Sequence, residues 1–491
     1  MITNMNNESA LNSLEPIPVW QYFSDICNIP HTSGNEKNMG DFLIEFARVH
    51  NLECHQSNCG NVFIKKAATS DKVGHSPVML QAHMDMVGVK NDKTEFDFSI
   101  DPIKPVVTDD GFVTAENTTL GADNGIGMAI ILAILAGNNI SHPEIHALFT
   151  VAEETSMGGA VLLTPDDIDA NLAINIDSED LGEICVGCAG GSGYTISTEP
   201  DIAAVPDTGY DALVIRVYNG VGGHSGIDIN KKRLNAASAI LAMINFLKES
   251  DIDVHISDIS SGTVKNSIPS EGYAVICLQK HLTSKALTLL QDFALRLQTR
   301  YTETDPNISF EFSKTDNIPD FMTTEKATEN ILTLQGLNTK IMEYVPGTQN
   351  PMTSCNLGRI HWENNKCTFS LLARFATSEG KNKVESRINE LVAAAGAVID
   401  NYETYVYWEP DFESHMLSRA VSTYHKLTGN DSVTTVIHAG LECGLFKKLN
   451  PKLDIISIGP DIYGAHSCNE KVRISSVAVC FEWIKLMLAD I

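Results

Sequence analysis

Apolar positions along this chain follow two rhythms. Over residues 17–50 they recur at helical spacing in two stretches, broken at Ile29-Pro30-His31-Thr32-Ser33-Gly34. Val62-Phe63-Ile64, Val78–Gln81, Ile145–Val151 and Leu172–Ile176 are short apolar runs of strand length. Thr119-Leu120-Gly121-Ala122-Asp123 leads into an apolar helix from Asn124 to about Gly137. Strands alternating with helices predict an α/β fold with a central, mostly parallel sheet flanked by helices. From Ala212 to about Tyr407 the character changes. Strands are predicted at Ala212–Val217, Tyr273–Leu278 and Ile308–Phe312, and helices at Arg233–Leu247 and Lys285–Thr299. A comparable pattern follows in Thr368–Phe375, Lys381–Ala395 and Tyr402–Trp408, so this stretch reads as two α+β halves. After about residue 410 the first rhythm returns, with a strand at Leu453–Ile458 and a closing helix at Val477–Leu486.

Single cores stop growing at about 250–300 residues, so a chain of 491 residues needs more than one unit. The pattern predicts one α/β domain built from both ends, residues 1–207 and 409–491, with an α+β domain of residues 208–408 inserted between them. Gly190-Gly191-Ser192-Gly193 and the stretch from Pro200 to Pro206 are read as the first boundary.

In open α/β sheets ligands bind beyond the carboxyl ends of the strands, and here the predicted strands run into polar residues. Val78–Gln81 continues to His83-x-Asp85, whose spacing puts both side chains on one side of a strand. Ile145–Val151 leads to Glu153-Glu154, and Leu172–Ile176 to Asp177. Asp123 falls near a helix N-terminus, where free N–H groups and the dipole favour a carboxylate. His466 lies in Gly464-Ala465-His466-Ser467. Taken singly, each is an ordinary strand end, helix cap, solvated turn or loop histidine. As a set they bring two imidazoles and several carboxylates to one rim. Carboxylates at that density repel one another and take up protons unless cations sit among them. A mixed nitrogen and oxygen set suits zinc, with cobalt or manganese able to substitute. Three carboxylates and one hydroxide balance two dications.

The formal net charge of −27 argues against nucleic acid or an anionic membrane surface as a partner. The longest apolar helical stretch, around Ile126–Leu135, is far short of the ~20 residues that span a bilayer. The first residues have neither a basic start nor an apolar segment, which argues against a secretory signal. With eleven scattered cysteines, the expectation is reduced thiols and a cytoplasmic protein. Cys185-x-x-Cys188 has no second pair with which to form a zinc knuckle.

The motifs Leu80-Gln81-Ala82-His83-Met84-Asp85-Met86-Val87, Leu120-Gly121-Ala122-Asp123-Asn124-Gly125-Ile126-Gly127 and Ala152-Glu153-Glu154-Thr155 resemble those of the co-catalytic zinc peptidase family of dipeptidases, glutamate carboxypeptidases and aminoacylases. Asn175-Ile176-Asp177-Ser178-Glu179, Gly222-Gly223-His224-Ser225-Gly226, His438-Ala439-Gly440-Leu441-Glu442-Cys443-Gly444 and Gly464-Ala465-His466-Ser467 fit its bacterial aminoacyl-histidine dipeptidase branch. The matches run from about residue 17 to the C-terminus in the family's order.

The resemblance implies a zinc-peptidase catalytic domain with an inserted lid. It implies two zinc ions, one on His83 and Asp177, the other on Glu154 and His466, with Asp123 bridging them. Asp85 would accept a hydrogen bond from the far nitrogen of His83. Glu153 would be the general base for a bridging water or hydroxide. In the lid, His224 would donate to the oxyanion, Asn266 and Arg374 would hold the substrate's terminal carboxylate, and Gly440 would line the same pocket through its backbone. Arginine suits that task because its guanidinium binds a carboxylate bidentately. The implied activity is hydrolysis of small peptides, dipeptides of the Xaa-His type with broad tolerance. An N-acyl amino acid amidase on the same scaffold is the alternative. A non-catalytic metal or peptide binder is a further one, against which the presence of Glu153 speaks. Both a homodimer and a single chain completing its own site fit. Ser156 stands where the family commonly has glycine, and Cys468 and Asn469 where proline and aspartate are usual. These departures bear on substrate preference and leave every implied ligand in place.

Overall fold

A computed structural model describes residues 11, 13–206 and 208–491. The segment judged above for a secretory signal lies outside the described residues. The chain divides into two compact units. The first holds the chain up to Gly187 together with Pro410–Thr435 and Leu441–Ile491, and the second holds Cys188–Glu409 and Val436–Gly440.

The first unit is built on strands β1 (Glu53–Gln56), β2 (Val62–Lys66), β3 (Val78–His83), β4 (Ile145–Thr150), β5 (Leu172–Asn175), β6 (Glu183–Cys188), β7 (Val433–Ile437) and β8 (Asp454–Ser457). They form an eight-stranded sheet in the order β1-β2-β4-β3-β5-β8-β6-β7. Its centre, β4-β3-β5-β8, is parallel. On one side β1 and β2 add antiparallel strands, and β6 runs antiparallel to β8 on the other. A parallel strand covered on both faces reads as an unbroken apolar run. β3 is buried throughout, and Gln81 is its one polar residue before His83. His83 lies opposite Thr150, and Gln81 opposite Asn175. The chain segments after β3, β4 and β5 therefore leave the sheet at nearly one level.

Helices α1 (Ile17–Cys27), α2 (Lys37–Val49), α3 (Ala122–Ala136), α4 (Glu442–Leu449) and α5 (Ile474–Asp490) belong to the same unit. α3 is apolar on every side and buried from Asn124 to Leu135, as a helix without a polar face must be. It starts at Ala122, with Asp123 and Asn124 departing from helical geometry. A Cβ at Gly127 would fall 1.9 Å from Asn124 Oδ1 and 2.5 Å from the Ile176 carbonyl, so glycine lets α3 lie against the chain leaving β5.

The second unit carries a nine-stranded sheet, antiparallel at every described pairing. Ser309–Thr315, Tyr210–Tyr218, Gly272–Gln279 and Val254–Ser261 form one run, and Pro351–Glu363, Lys366–Phe375, Gly190–Thr198 and Val398–Tyr405 another. Only the pairs Ser260–His361 and Ser261–Ile360 join the two runs. Lys340–Tyr344 pairs alongside Pro351–Glu363. Helices Ala236–Glu249, Thr283–Arg300 and Ser378–Ala394 share one core with the sheet through Ile240, Leu290 and Val384.

The glycine-rich segment expected to be a boundary loop is an interior strand, Gly190–Thr198. Its glycines answer close packing rather than a turn. A Cβ at Gly190 would meet the Tyr405 carbonyl at 2.4 Å, and one at Gly191 the Ala373 carbonyl at 2.7 Å. Cys188 and Trp408 exchange main-chain hydrogen bonds of 3.0 Å in both directions, so the stretch between them begins and ends side by side. No disulfide joins any of the eleven cysteines. Among the described residues no helix is long and apolar enough to cross a membrane.

Candidate active site

His83, Asp123, Glu154, Asp177 and His466 meet at the carboxyl end of the parallel strands in the first unit. Asp123 sits at the centre. Its Oδ1 is 3.0 Å from His83 Nε2, and its Oδ2 is 3.3 Å from His466 Nε2. His83 Nε2 is also 3.2 Å from Asp177 Oδ1, and His466 Nε2 is 2.9 Å from Glu154 Oε1. Two His-carboxylate groups thus share one aspartate. Donor atoms of His83, Asp123 and Glu154 lie within 4.8 Å of one another. Ligands at ~2.0–2.1 Å on the corners of a tetrahedron are about 3.3 Å apart, and the observed N···O spacings come near that length. Nitrogen and carboxylate donors in this arrangement fit divalent zinc, cobalt or manganese.

The charges of the group are mutually dependent. Burial pushes the Asp123 carboxyl up, but contacts with His466 and His83 overcome it and hold the group far below the usual carboxylate range. His83 is buried, which opposes its charge, yet Asp177, Asp123 and Asp85 around it drive its pKa well above normal. His466, half-exposed, is raised to about 10 by Asp123 and Glu154. Burial raises Glu154 and Asp177. Glu153 is lifted to about 9, by burial first and then by Asp177, Glu442 and Glu154. Among the described residues, no hydrogen bond or ion pair reaches the Glu153 carboxyl.

Asp85 faces the far nitrogen of His83 and has further partners as well. His83 Nδ1 is 3.0 Å from the main-chain carbonyl of Asp85 and 3.4 Å from its Oδ1. A carbonyl only accepts, so Nδ1 carries the proton and Nε2 is left facing the carboxylates. Beside that contact with His83, the Asp85 carboxylate accepts from the Glu153 N–H (3.0 Å), the Glu154 N–H (3.2 Å) and Ser33 Oγ (2.7 Å). It ties the end of β3 to the turn that carries the glutamate pair. That turn starts from Ala152 with φ 53°, a left-handed geometry an alanine adopts only under constraint.

Two residues escaped the sequence reading. Asn124 Nδ2 donates to Asp177 Oδ1 at 2.5 Å. Glu470, buried, accepts four main-chain N–H groups at the start of α3. Its Oε2 takes Leu120 (2.7 Å) and Gly121 (3.0 Å), and its Oε1 takes Ala122 (2.8 Å) and Asp123 (3.3 Å). The spacing His466-x-x-x-Glu470 was the only available signal, and the donors are main-chain groups some 350 residues away.

The residues expected to lie in a lid form their own cluster in the second unit. A two-residue ribbon pairs Gly223–His224 with Ser267–Ile268, and the Ser225 N–H donates to the Asn266 carbonyl at 2.9 Å. His224 Nδ1 accepts from the Gly226 and Ile227 N–H groups at 3.3 and 3.2 Å, while its Nε2 faces Arg374 Nη2 at 3.3 Å. Donors therefore point at both ring nitrogens, although a neutral imidazole must carry one proton itself. Burial, then Arg374, lowers the His224 pKa. Arg374 is lowered to about 10 by burial, and its buried Nε has no hydrogen-bond partner. No described carboxylate lies within salt-bridge distance of it. An anion accepting from both His224 Nε2–H and Arg374 would relieve this arrangement. Gly440 lies at the end of the short stretch Val436–Gly440 that returns to this unit.

The chain matches Peptidase family M20/M25/M40 over residues 79–490. It belongs to that family and is a peptidase by fold and by motif. It is 34% identical over 484 residues to the cytosol non-specific dipeptidase of Escherichia coli (strain K12), covering 98% of this chain and 99% of that protein. The crystal structure of an aminoacylhistidine dipeptidase from Vibrio alginolyticus matches with a TM-score of 0.90 at 33% identity, covering 98% of each chain. A tripeptidase from Staphylococcus aureus shares the fold, with a TM-score of 0.55 at 15% identity over 97% of this chain and 98% of that one.

Proposed function

We propose that this protein is a metal-dependent dipeptidase that hydrolyses unblocked dipeptides, Xaa-His among them, with broad tolerance, in the cytosol. The carrying observation is the pair of His-carboxylate groups sharing Asp123, with the unengaged Glu153 carboxyl beside them. The names of the Escherichia coli and Vibrio relatives support the substrate class. His83 and Asp177 would hold one zinc ion, Glu154 and His466 a second, and Asp123 both, with cobalt or manganese able to substitute. When bound, such ions lower the pKa of water and polarise the scissile carbonyl.

The chain's own residues do the rest. Glu153, high in pKa while the site carries only carboxylates and imidazoles, becomes an acceptor at neutral pH once cations offset the neighbouring negative charge. Its carboxylate takes a proton from the attacking water and returns it to the leaving amine nitrogen. Asp85 fixes the main chain of Glu153 and Glu154 together, so base and ligand keep one geometry. Arg374 and Asn266 bind the dipeptide's terminal carboxylate, and His224 donates from Nε2 to the developing oxyanion.

Glu153→Ala is expected to retain zinc and to lose at least ~100-fold in kcat; unchanged turnover refutes the mechanism. A chelator should abolish activity, with zinc or cobalt restoring it. Activity persisting in metal-free protein refutes the site. Cleavage of β-alanyl-histidine but not of N-acetyl-histidine separates a dipeptidase from an N-acyl amino acid amidase.

A further inference from the structure

Beneath the rim lies a buried polar network that the catalytic reading leaves unused. Gln81, inside β3, donates through Nε2 to Glu442 Oε2 at 2.7 Å and to Thr150 Oγ1 at 3.1 Å. Thr150 Oγ1 donates to the same Glu442 oxygen at 2.7 Å. Asn175 Nδ2 donates to Gln81 Oε1 at 2.5 Å. All four residues are at most 1% exposed. Three of them come from the adjacent strands β4, β3 and β5, one from each. Each stands just before the candidate site: Gln81 precedes His83 by two positions, Asn175 precedes Asp177 by two, and Thr150 precedes Glu153 by three. On a strand, positions two apart face the same side, so Gln81 and His83 do. Glu442 arrives from elsewhere, as the first residue of α4.

A buried carboxylate carries a desolvation penalty that an apolar side chain of similar volume avoids. What the carboxylate adds is a pair of directed acceptor contacts across neighbouring strands. We propose that Glu442 is a positioning residue of the metal centre: through Gln81 and Thr150 it fixes the relative level of the ends of β3, β4 and β5, and with it the spacing of His83, Glu154 and Asp177. This rests on the reading of those three as metal ligands.

The test uses full-length protein stripped of metal and titrated with cobalt against a competing chelator, with the visible cobalt absorption recorded. Residues that orient ligands typically contribute 10–100-fold to metal affinity. Glu442→Ala is therefore expected to bind cobalt at least ~10-fold more weakly, with a changed absorption envelope. Glu442→Gln keeps one oxygen to accept both bonds and puts its amide nitrogen where the other carboxylate oxygen has no partner. Its affinity should stay within about threefold of wild type, since tenfold is the least that a lost ligand-orienting contact produces. Leu43→Ala, a fully buried site on α2, lowers the melting temperature without changing the cobalt spectrum. If Glu442→Ala matches wild type, or loses no more affinity than Leu43→Ala, the proposal is overturned. A Glu442→Gln defect equal to that of Glu442→Ala also overturns it, because charge rather than tethering would then matter. Should Glu442→Ala fail to fold, Thr150→Val removes the bond to Glu442 and the bond from Gln81, and is expected to weaken cobalt binding and alter its spectrum; wild-type behaviour there overturns the proposal. A wild-type protein that binds no cobalt instead refutes the metal reading itself.

Discussion

Glu470→Gln tests how the loop carrying Asp123 is held. In the wild type one carboxylate accepts four main-chain N–H groups, two on each oxygen. The amide keeps a single accepting oxygen, and its NH2 end must face the other pair of N–H donors. Two hydrogen bonds to a charged group are lost, each worth about 1.5–3 kcal/mol before the loop relaxes. A net loss of about 3 kcal/mol is the low end of that range. The loop has no other carboxylate partner for these N–H groups, so the loss falls on the geometry of Asp123. At 1.4 kcal/mol per factor of ten, metal affinity should fall about 100-fold. The assay is competition between metal-stripped protein and a chromogenic chelator for zinc, with circular dichroism recorded on the same samples. Affinity within a few fold of wild type, at unchanged dichroism, would show that the four N–H bonds do not control where Asp123 stands.

Arg374→Lys should raise KM for a dipeptide with a free C-terminal carboxylate by about 10–100-fold, the worth of a charge-assisted hydrogen bond. A C-terminally amidated dipeptide should be a poor substrate for both proteins; equal KM for acid and amide in the wild type counts against the assigned role. His438 is held down to about 3, by burial first and then by Arg374. An unfolded histidine takes up a proton below about pH 6.5, so between those values the unfolded chain binds more protons and stability falls as pH falls. The slope attributable to this residue is at most about 1.4 kcal/mol per pH unit. Urea unfolding at pH 7 and pH 5.5 should show a shallower pH dependence in His438→Gln than in the wild type; identical slopes would refute the assignment.

The fold was legible where burial is uniform and the pattern local. β3, β4 and β5 are apolar runs because both faces are covered, and each ends where polar side chains begin. The helix after Asp123 was legible because it has no polar face. The candidate donors could be gathered because a carboxylate or imidazole at a strand end has a recognisable position in the sequence. What stayed hidden depends on partners with no side-chain signature. Glu470 meets only main-chain N–H groups, so nothing in residues 120–123 marks it. The Asp85 carboxylate meets the main chain of Glu153 and Glu154 as well as His83, and only the contact with His83 can be read from the spacing. Gly190 and Gly191 looked like loop punctuation, because a glycine required by a carbonyl on the next strand has the same letter as one required by a turn.

The paired main-chain bonds between Cys188 and Trp408 have an architectural consequence. Residues that exchange both N–H···O bonds across antiparallel strands stand about 5.5 Å apart at Cα, a gap that two residues can close. Everything between them is thus a detour that leaves and rejoins the chain at nearly one point. Because loop closure depends only weakly on loop length, the size of what hangs there hardly affects the fold carrying it. The stretch can therefore be enlarged or shrunk while the host keeps the same two anchor points, with the return of Val436–Gly440 to the second unit as a further link. Such a junction lets the stretch vary while the residues gathered at the strand ends of the host, from His83 to His466, stay as they are.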